Sequence, residues 1–258
     1  MKLFVFDLDK TVLNSKNKLS IVNSQVLDII SERQIILIPA TGRNMFGIPK
    51  EILEKNIRYF IVSNGAKIID NKRKKVIWHK YLLQKELISI VQVLKSKKVL
   101  FLYSIHSGNV CFDSSIIQVI IRSLFYHNHS KLLKKESIIN LEYVYKIQIM
   151  VLSKRKMSIM YNKLKEVKGV HVVKSSSRYI EITAEHANKG TALKYISKYL
   201  SIPNNNIVAI GDNENDLEML KFAGVSYAVE NATDIVRKNV DYIISNNDNN
   251  PLKDIKLD

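Results

Sequence analysis

The chain opens with an apolar run, Leu3–Phe6, that ends abruptly in the two acids Asp7 and Asp9. A short apolar run bounded in this way is typical of a parallel strand buried on both faces. Ligands of open α/β sheets bind where such strands end. Residues i and i+2 of an extended chain project to the same side, so the two carboxylates should share one small volume. The sequence therefore predicts a charged site behind the first strand, with an exposed acidic turn as the alternative.

Further apolar runs alternate with helix-like stretches, which is typical of βαβ units around a parallel sheet. The predicted strands are 34–40, 58–62 and 206–211, and a helix is predicted over 22–33. Each of these strands, like the first, leads into a small polar turn. The basic run 72–75 lies between two apolar segments and predicts a solvated hairpin turn.

Residues 81–186 have a different pattern. Apolar and polar residues alternate over 146–151 and 179–182, which predicts strands with one solvated face and hence an antiparallel sheet. Helices are predicted over 116–126 and 156–165. The fold class is therefore α/β, with a parallel-sheet core formed by residues 1–80 and 187–258 and an inserted α+β domain formed by residues 81–186.

Composition limits the classes of protein to consider. A chain of 258 residues with 46% apolar and 25% charged residues is typical of a globular protein. No apolar run approaches the ~20 residues that cross a bilayer, so we expect a cytoplasmic protein with no membrane partner. The single cysteine excludes an internal disulfide and a cysteine-rich zinc site.

The net charge of +16 makes a non-catalytic nucleic-acid-binding protein an alternative. The basic excess, however, is spread through residues 1–186, whereas residues 187–258 are slightly acidic. A cluster of aspartates also works against binding to a phosphate backbone. We therefore expect no nucleic-acid partner.

Five short motifs follow one another in an order that resembles the haloacid dehalogenase (HAD) superfamily of phosphohydrolases. They are DLDKT at 7–11, ATGR at 40–43, SNGA at 63–66, NKG at 188–190 and GDNENDLEML at 211–220. Within the superfamily, the chain is similar to the Cof-like subfamily, whose type IIB cap is inserted between the second and third motifs. The resemblance implies a Rossmann-like core with an α+β cap, and a magnesium-dependent phosphatase acting on small metabolites such as sugar phosphates or phosphorylated cofactors. We expect a monomer or a weak homodimer.

The resemblance also implies a role for each motif residue. Asp7 is the expected nucleophile, which forms an aspartyl-phosphate, and Asp9 is the expected general acid and base. Mg²⁺ would be held by Asp7, the backbone carbonyl of Asp9 and Asp212, and Asp216 would support this shell or cap the following helix. The phosphate-binding residues implied are Leu8, Thr41, Gly42, Lys189 and Asn215. Thr11 is expected to brace the first loop through its hydroxyl.

The same residues are also compatible with other chemistry. A haloalkanoic-acid dehalogenase needs no second aspartate, because halide leaves without a proton, so Asp9 favours phosphate transfer. A phosphosugar phosphotransferase or mutase stays an alternative if the cap excludes water from the intermediate. Substrate selection is expected in the cap, with candidate contacts at 103–109, which includes His106, and at 174–178. Lys10 stands where the family usually has glycine.

Overall fold

The chain forms three β-sheets and seven α-helices over the residues that the computed structural model describes, which are 2–95, 100–104, 110–112, 130–132, 142–151, 153–174 and 179–256. The strands are β1 (Leu3–Phe6), β2 (Ile36–Pro39), β3 (Tyr59–Val62), β4 (Lys67–Asp70), β5 (Lys75–His79), β6 (Leu100–Ser104), β7 (Val110–Phe112), β8 (Ser130–Leu132), β9 (Lys146–Met150), β10 (Val170–Lys174), β11 (Tyr179–Ala184), β12 (Ile207–Gly211), β13 (Val225–Val229) and β14 (Tyr242–Ile244). The helices are α1 (Ile21–Glu32), α2 (Lys50–Leu53), α3 (Gln84–Lys95), α4 (Lys154–Lys165), α5 (Lys189–Tyr199), α6 (Leu217–Phe222) and α7 (Asp234–Arg237).

The chain divides into two compact units. The first is Met1–His79 together with Asn188–Asp258, and the second is Lys80–Ala187. We refer to them as the core unit and the inserted unit. That the inserted unit is a cap that selects substrate stays a prediction.

A five-stranded parallel sheet forms the centre of the core unit. Its strand order is β14-β13-β12-β1-β2, and every neighbouring pair is parallel. All four residues of β1 are fully buried, because the strand lies between β12 and β2 and is covered on both faces. Helices α1 and α5 contribute Leu27, Ile30, Leu193 and Ile196 to the same apolar core. The predicted parallel sheet is thus confirmed.

Strand β3 belongs to a separate three-stranded sheet and not to the five-stranded parallel sheet. A single parallel bridge, between Ala40 and Ile61, links its end to the segment after β2. Its ladder instead pairs antiparallel with β4, and β4 pairs antiparallel with β5. The reason is local: Ser63, Asn64 and Gly65 all have positive φ and turn the chain straight back. Residues 72–74 of the basic run lie in the next turn, as predicted, and the last residue of the run, Lys75, begins β5.

The inserted unit contains a six-stranded sheet of order β10-β11-β9-β6-β7-β8. Its pairs are antiparallel except for β7 with β8. Isoleucines on β9 and β11 are buried, whereas the alternate positions carry polar side chains such as Gln148 and Lys146. On α4, Met157, Met160 and Leu164 are buried at helical spacing. This is the α+β arrangement expected from the alternation.

Some predictions concern residues outside the described ranges. The predicted helix 116–126 and most of the candidate substrate contacts, 105–109 with His106 and 175–178, lie outside the described residues. Among the residues that are described, no helix combines the length and apolar character that crossing a membrane requires.

Candidate active site

Asp7 and Asp212 follow neighbouring strands at the same end of the parallel sheet. Strands β1 and β12 are in parallel register, with Phe6 opposite Ile210. The N–H of Asp7 donates to the carbonyl of Ile210 at 3.0 Å, which extends the ladder by one residue. Both acids therefore emerge at the carboxyl edge of the sheet, where α/β proteins bind ligands.

Three carboxylates meet at this edge. Asp7, Asp212 and Asp216 each place one oxygen within 4.8 Å of the others, and all three side chains are buried. The ammonium of Lys189, which is fully buried, donates to Oδ1 of Asp7 at 2.5 Å and to Oδ1 of Asp216 at 2.6 Å. Lys189 is the first residue of α5, whose amino end is capped by the side chain of Asn188. The helix start thus carries the lysine into the carboxylate cluster.

Asp216 is the most completely hydrogen-bonded of the three acids. Its Oδ2 accepts from the N–H groups of Asp212 and Asn213 at 3.0 and 3.1 Å, while its Oδ1 accepts from Lys189. A Cβ on Gly211 would lie 2.6 Å from Cβ of Asp216, so glycine is required for this close approach. Asp216 therefore holds the Asp212 turn and Lys189 in place, and its support of a metal shell stays a prediction.

The charges of the cluster do not balance. Burial raises the pKa of Asp7 well above its ordinary value; Lys189 opposes this shift, and the charges of Asp216 and Asp212 add to it. Burial, together with the charge of Asp216, also raises the pKa of Asp212 to about 7. Burial alone would lower the pKa of Lys189, but the negative charges of Asp216 and Asp7 outweigh it and raise that pKa. One ammonium thus stands against three carboxylates.

The residues at this site fit a divalent cation. Asp7 and Asp212 each accept one side-chain hydrogen bond, Asp7 from Lys189 and Asp212 from the hydroxyl of Thr11 at 3.2 Å. Each therefore retains carboxylate oxygen capacity, which hard cations such as Mg²⁺ prefer. A divalent ion would also offset the excess negative charge. Through its hydroxyl, Thr11 thus connects the first loop to Asp212 rather than bracing that loop internally.

A second group of polar residues lies after β2 and β3. Thr41 is fully buried, and its carbonyl accepts from the N–H of Asn64 at 3.0 Å. Oδ1 of Asn64 accepts from Nδ2 of Asn215 at 3.0 Å and would lie 2.9 Å from a Cβ on Gly42. Asn64 therefore joins three of the predicted phosphate-binding residues, although it was not itself among the predicted site residues. Its position in the SNGA motif was the available signal.

Asp9 lies apart from the buried cluster and is paired with Arg43. Nε of Arg43 contacts Oδ1 and Oδ2 of Asp9 at 3.1 and 2.9 Å, and Nη2 contacts Oδ1 at 2.5 Å. Arg43 belongs to the ATGR motif, in which roles are predicted only for Thr41 and Gly42. Lys10 has φ of 59°, a left-handed conformation that favours glycine, and its carbonyl accepts from Asn231.

Leu8 has a different environment from the other predicted phosphate-binding residues. Its side chain is fully buried in the apolar core of the core unit. Only the main chain of Leu8 can therefore face a phosphate. Its carbonyl accepts from the N–H of Leu13 at 2.9 Å, which closes the loop that carries Asp9 and Lys10.

Comparison with known proteins identifies the family of this chain. A family model for haloacid dehalogenase-like hydrolases matches residues 4–255. The chain belongs to this family. It is similar to Phosphatase YwpJ of Bacillus subtilis strain 168, with 23% identity over an alignment of 278 positions that covers 96% of each chain. It is also similar to the 5-amino-6-(5-phospho-D-ribitylamino)uracil phosphatase YcsE of that strain, with 27% identity over 249 residues covering 96% of this chain and 91% of the relative.

The fold of this HAD protein is also that of a solved subclass IIB sugar phosphatase. The two structures superpose with a TM-score of 0.84 at 19% identity, over 98% of this chain and 95% of the other. The predicted Cof-like HAD resemblance and the predicted fold class are confirmed, and the protein is a phosphatase enzyme.

Proposed function

We propose that this HAD phosphatase is a magnesium-dependent phosphohydrolase that cleaves phosphate monoesters of small metabolites, such as sugar phosphates or phosphorylated cofactors. The observation that carries the proposal is the buried contact of Lys189 with both Asp7 and Asp216 beside Asp212. A nucleophile, a fixed cation and a cation-binding carboxylate pair are the groups that phosphoryl transfer requires.

Asp7 is the proposed nucleophile. Lys189 donates to its Oδ1, so Oδ2 is the oxygen that we assign to attack on phosphorus. The new bond from Oδ2 to phosphorus replaces the bond to the leaving alcohol, and an aspartyl-phosphate results. Lys189 keeps the carboxylate oriented and places a positive charge beside the transferring group.

Asp9 is the proposed general acid and base. It gives a proton to the leaving alcohol oxygen as the bond from phosphorus to that oxygen breaks. It then takes a proton from the water that attacks the aspartyl-phosphate, which frees Asp7 and inorganic phosphate. Its exposed side chain, 42% accessible, is consistent with a group that meets both a leaving alcohol and water.

The remaining residues bind the phosphoryl group and the metal. We assign the binding of the phosphoryl oxygens to three kinds of group: the hydroxyl of Thr41, the main chain at Leu8 and Gly42, and the side-chain amide of Asn215. Asp7, the carbonyl of Asp9 and Asp212 would hold Mg²⁺, with Asp216 behind them. When bound, Mg²⁺ supplies positive charge that offsets the charge of the phosphate and the carboxylates.

The test is phosphate release from a panel of phosphate esters, with and without Mg²⁺. The folded wild-type protein should release phosphate from at least one small ester, and only with the metal. Asp7→Asn should abolish turnover with little change in stability, whereas the control Asp28→Asn, an exposed acid paired with Lys55, should retain it. Absence of phosphate release from every ester by folded wild-type protein would contradict the proposal, and retained activity in Asp7→Asn would remove Asp7 as nucleophile.

A further inference from the structure

Arg43 holds the carboxylate of Asp9 with two of its nitrogens. Three contacts join them: Nε to Oδ1 at 3.1 Å, Nε to Oδ2 at 2.9 Å, and Nη2 to Oδ1 at 2.5 Å. A guanidinium that engages both oxygens fixes the plane of a carboxylate, which a single ammonium cannot do. The orientation of the Asp9 side chain is therefore set by Arg43.

The guanidinium of Arg43 also makes hydrogen bonds to residues other than Asp9. Its Nη1 donates to the carbonyl of Gly47 at 2.6 Å, and its Nη2 donates to Oδ1 of Asn17 at 3.3 Å. The Gly47 turn is fixed in turn, because its N–H donates to Oδ1 of Asn44 at 2.9 Å. The backbone N–H of Arg43 donates to the hydroxyl of Thr41 at 3.1 Å. The guanidinium thus has anchors on two loops besides its contact with Asp9.

This pair has little weight as a stabilising interaction. The Arg43 side chain is 25% exposed and that of Asp9 is 42% exposed, and ion pairs exposed to this degree contribute little to stability. The main effect of the pair is on geometry, because a half-exposed aspartate without such a partner samples several rotamers. The arrangement favours positioning over stabilisation as the role of Arg43.

We propose that Arg43 is a positioning residue for proton transfer, acting through Asp9 rather than on the substrate. The inference rests on the proposed function. In the first step, the proton on Asp9 passes to the leaving alcohol oxygen while the phosphorus bond moves from that oxygen to Oδ2 of Asp7. Arg43 keeps the Asp9 carboxyl in line for this transfer and itself neither gains nor loses a proton.

The experiment compares two esters that differ in their need for an acid. A sugar phosphate such as glucose 6-phosphate has an alkoxide leaving group that must be protonated, whereas p-nitrophenyl phosphate releases a stable phenolate. The quantity measured is kcat/KM, which reports the steps up to the first bond cleavage. For Arg43→Ala we expect a loss of ~10–100-fold on the sugar phosphate and below about threefold on p-nitrophenyl phosphate.

Two variants act as controls. Arg58→Ala removes an arginine of the core unit that also contacts an aspartate, Asp70, through Nε and Nη2, and it should change neither value. Arg43→Lys keeps the charge but not the two-nitrogen contact, and it should show a smaller loss that is still confined to the sugar phosphate. It also keeps the test valid if Arg43→Ala does not fold.

The outcomes separate the positioning role from the proposed function. Equal losses on both esters would overturn the inference, because Arg43 would then act on the phosphoryl group common to them. No loss in either variant, or full activity of Arg43→Lys on the sugar phosphate, would overturn it as well. Failure of the wild-type protein on every ester would instead concern the proposed function, and it would be seen before any variant is compared.

Discussion

At the scale of single residues, Lys189 decides the charge balance of the site. It is the buried cation that contacts both Asp7 and Asp216, and its own pKa is raised by their charges. Even so, burial and the neighbouring carboxylates keep the pKa values of Asp7 and Asp212 above their ordinary range. The site is therefore arranged for a further positive charge, which a divalent cation would supply.

This imbalance predicts how the stability of the metal-free protein depends on pH. The pKa of Asp212 is about 7 in the folded chain, against 3.8 for an ordinary aspartate. The folded state therefore binds more protons than the unfolded state between these values, and the contribution of Asp212 to stability falls as the pH rises through this window. Asp7 acts in the same direction.

Added Mg²⁺ should reverse this loss, because the metal binds the ionised carboxylates. We expect the rise in melting temperature caused by Mg²⁺ to be larger at pH 7.5 than at pH 5, measured by thermal unfolding after EDTA treatment. Asp212→Asn should lose most of the rise, whereas Asp28→Asn should keep it. A metal effect of equal size at both pH values would contradict the prediction.

At the scale of elements, the site depends on the contact between the turn after β3 and the start of α5. Gly65 has φ of 83°, and a Cβ built on it would lie 2.2 Å from the carbonyl group of Asn188. The backbone of Asn188 leads directly into Lys189. The turn therefore sets where α5 begins and how far its lysine reaches into the carboxylate cluster.

Gly65→Ala should therefore lower both stability and activity. Overpacking against a backbone and a left-handed alanine together should cost about 2–4 kcal/mol in the free energy of unfolding. The matched control is Gly47→Ala, whose Cβ would meet its nearest atoms at 3.5 Å, in ordinary contact. Urea unfolding would compare the stability of the two variants, and phosphate release would measure the activity of Gly65→Ala against the wild-type protein. An equal loss of stability in both variants would contradict this account of Gly65.

For some strands, the sequence pattern alone was sufficient to predict the element. Continuous apolar runs predicted β1, β2 and β12, because central parallel strands are buried on both faces. Strand β3 was predicted as an element, but not its pairing. Its partner depends on the three left-handed residues at 63–65, a conformation that no apolar pattern encodes.

At the scale of the whole molecule, the phosphatase activity does not explain the net charge of +16. The acidic cluster lies at the carboxyl edge of the core sheet, whereas the basic excess is spread through residues 1–186 of the sequence. A nucleic-acid interface instead requires basic residues that follow a phosphate backbone. The charge therefore favours a general attraction for anions over a specific nucleic-acid partner.

The expected outcome is that labelled duplex DNA or RNA does not bind tightly at moderate salt. Fluorescence anisotropy at ~50 and ~200 mM salt would measure this, since backbone binding weakens steeply over that range. Weak binding that vanishes at the higher salt fits a diffuse positive charge. Tight binding that persists there would contradict the expectation and restore the nucleic-acid alternative.

Local signals in the sequence predict the type of fold: apolar runs that stop at acids, polar turns at strand ends, and a helix start at Asn188 and Lys189. The residues of the candidate site stay a prediction that the order of the HAD motifs adds to these signals. The opening aspartates could be singled out because both closely follow the apolar run of the first strand.

Only the tertiary structure decided how these residues are paired. Lys189 lies 182 positions from Asp7, and Arg43 lies 34 positions from Asp9. Such contacts depend on how separate strands and helices pack, which local propensity does not specify. The structure thus pairs Asp7 with Lys189 in a buried cluster and Asp9 with Arg43 in a partly exposed ion pair, because burial and charge pairing act between elements that only folding brings together.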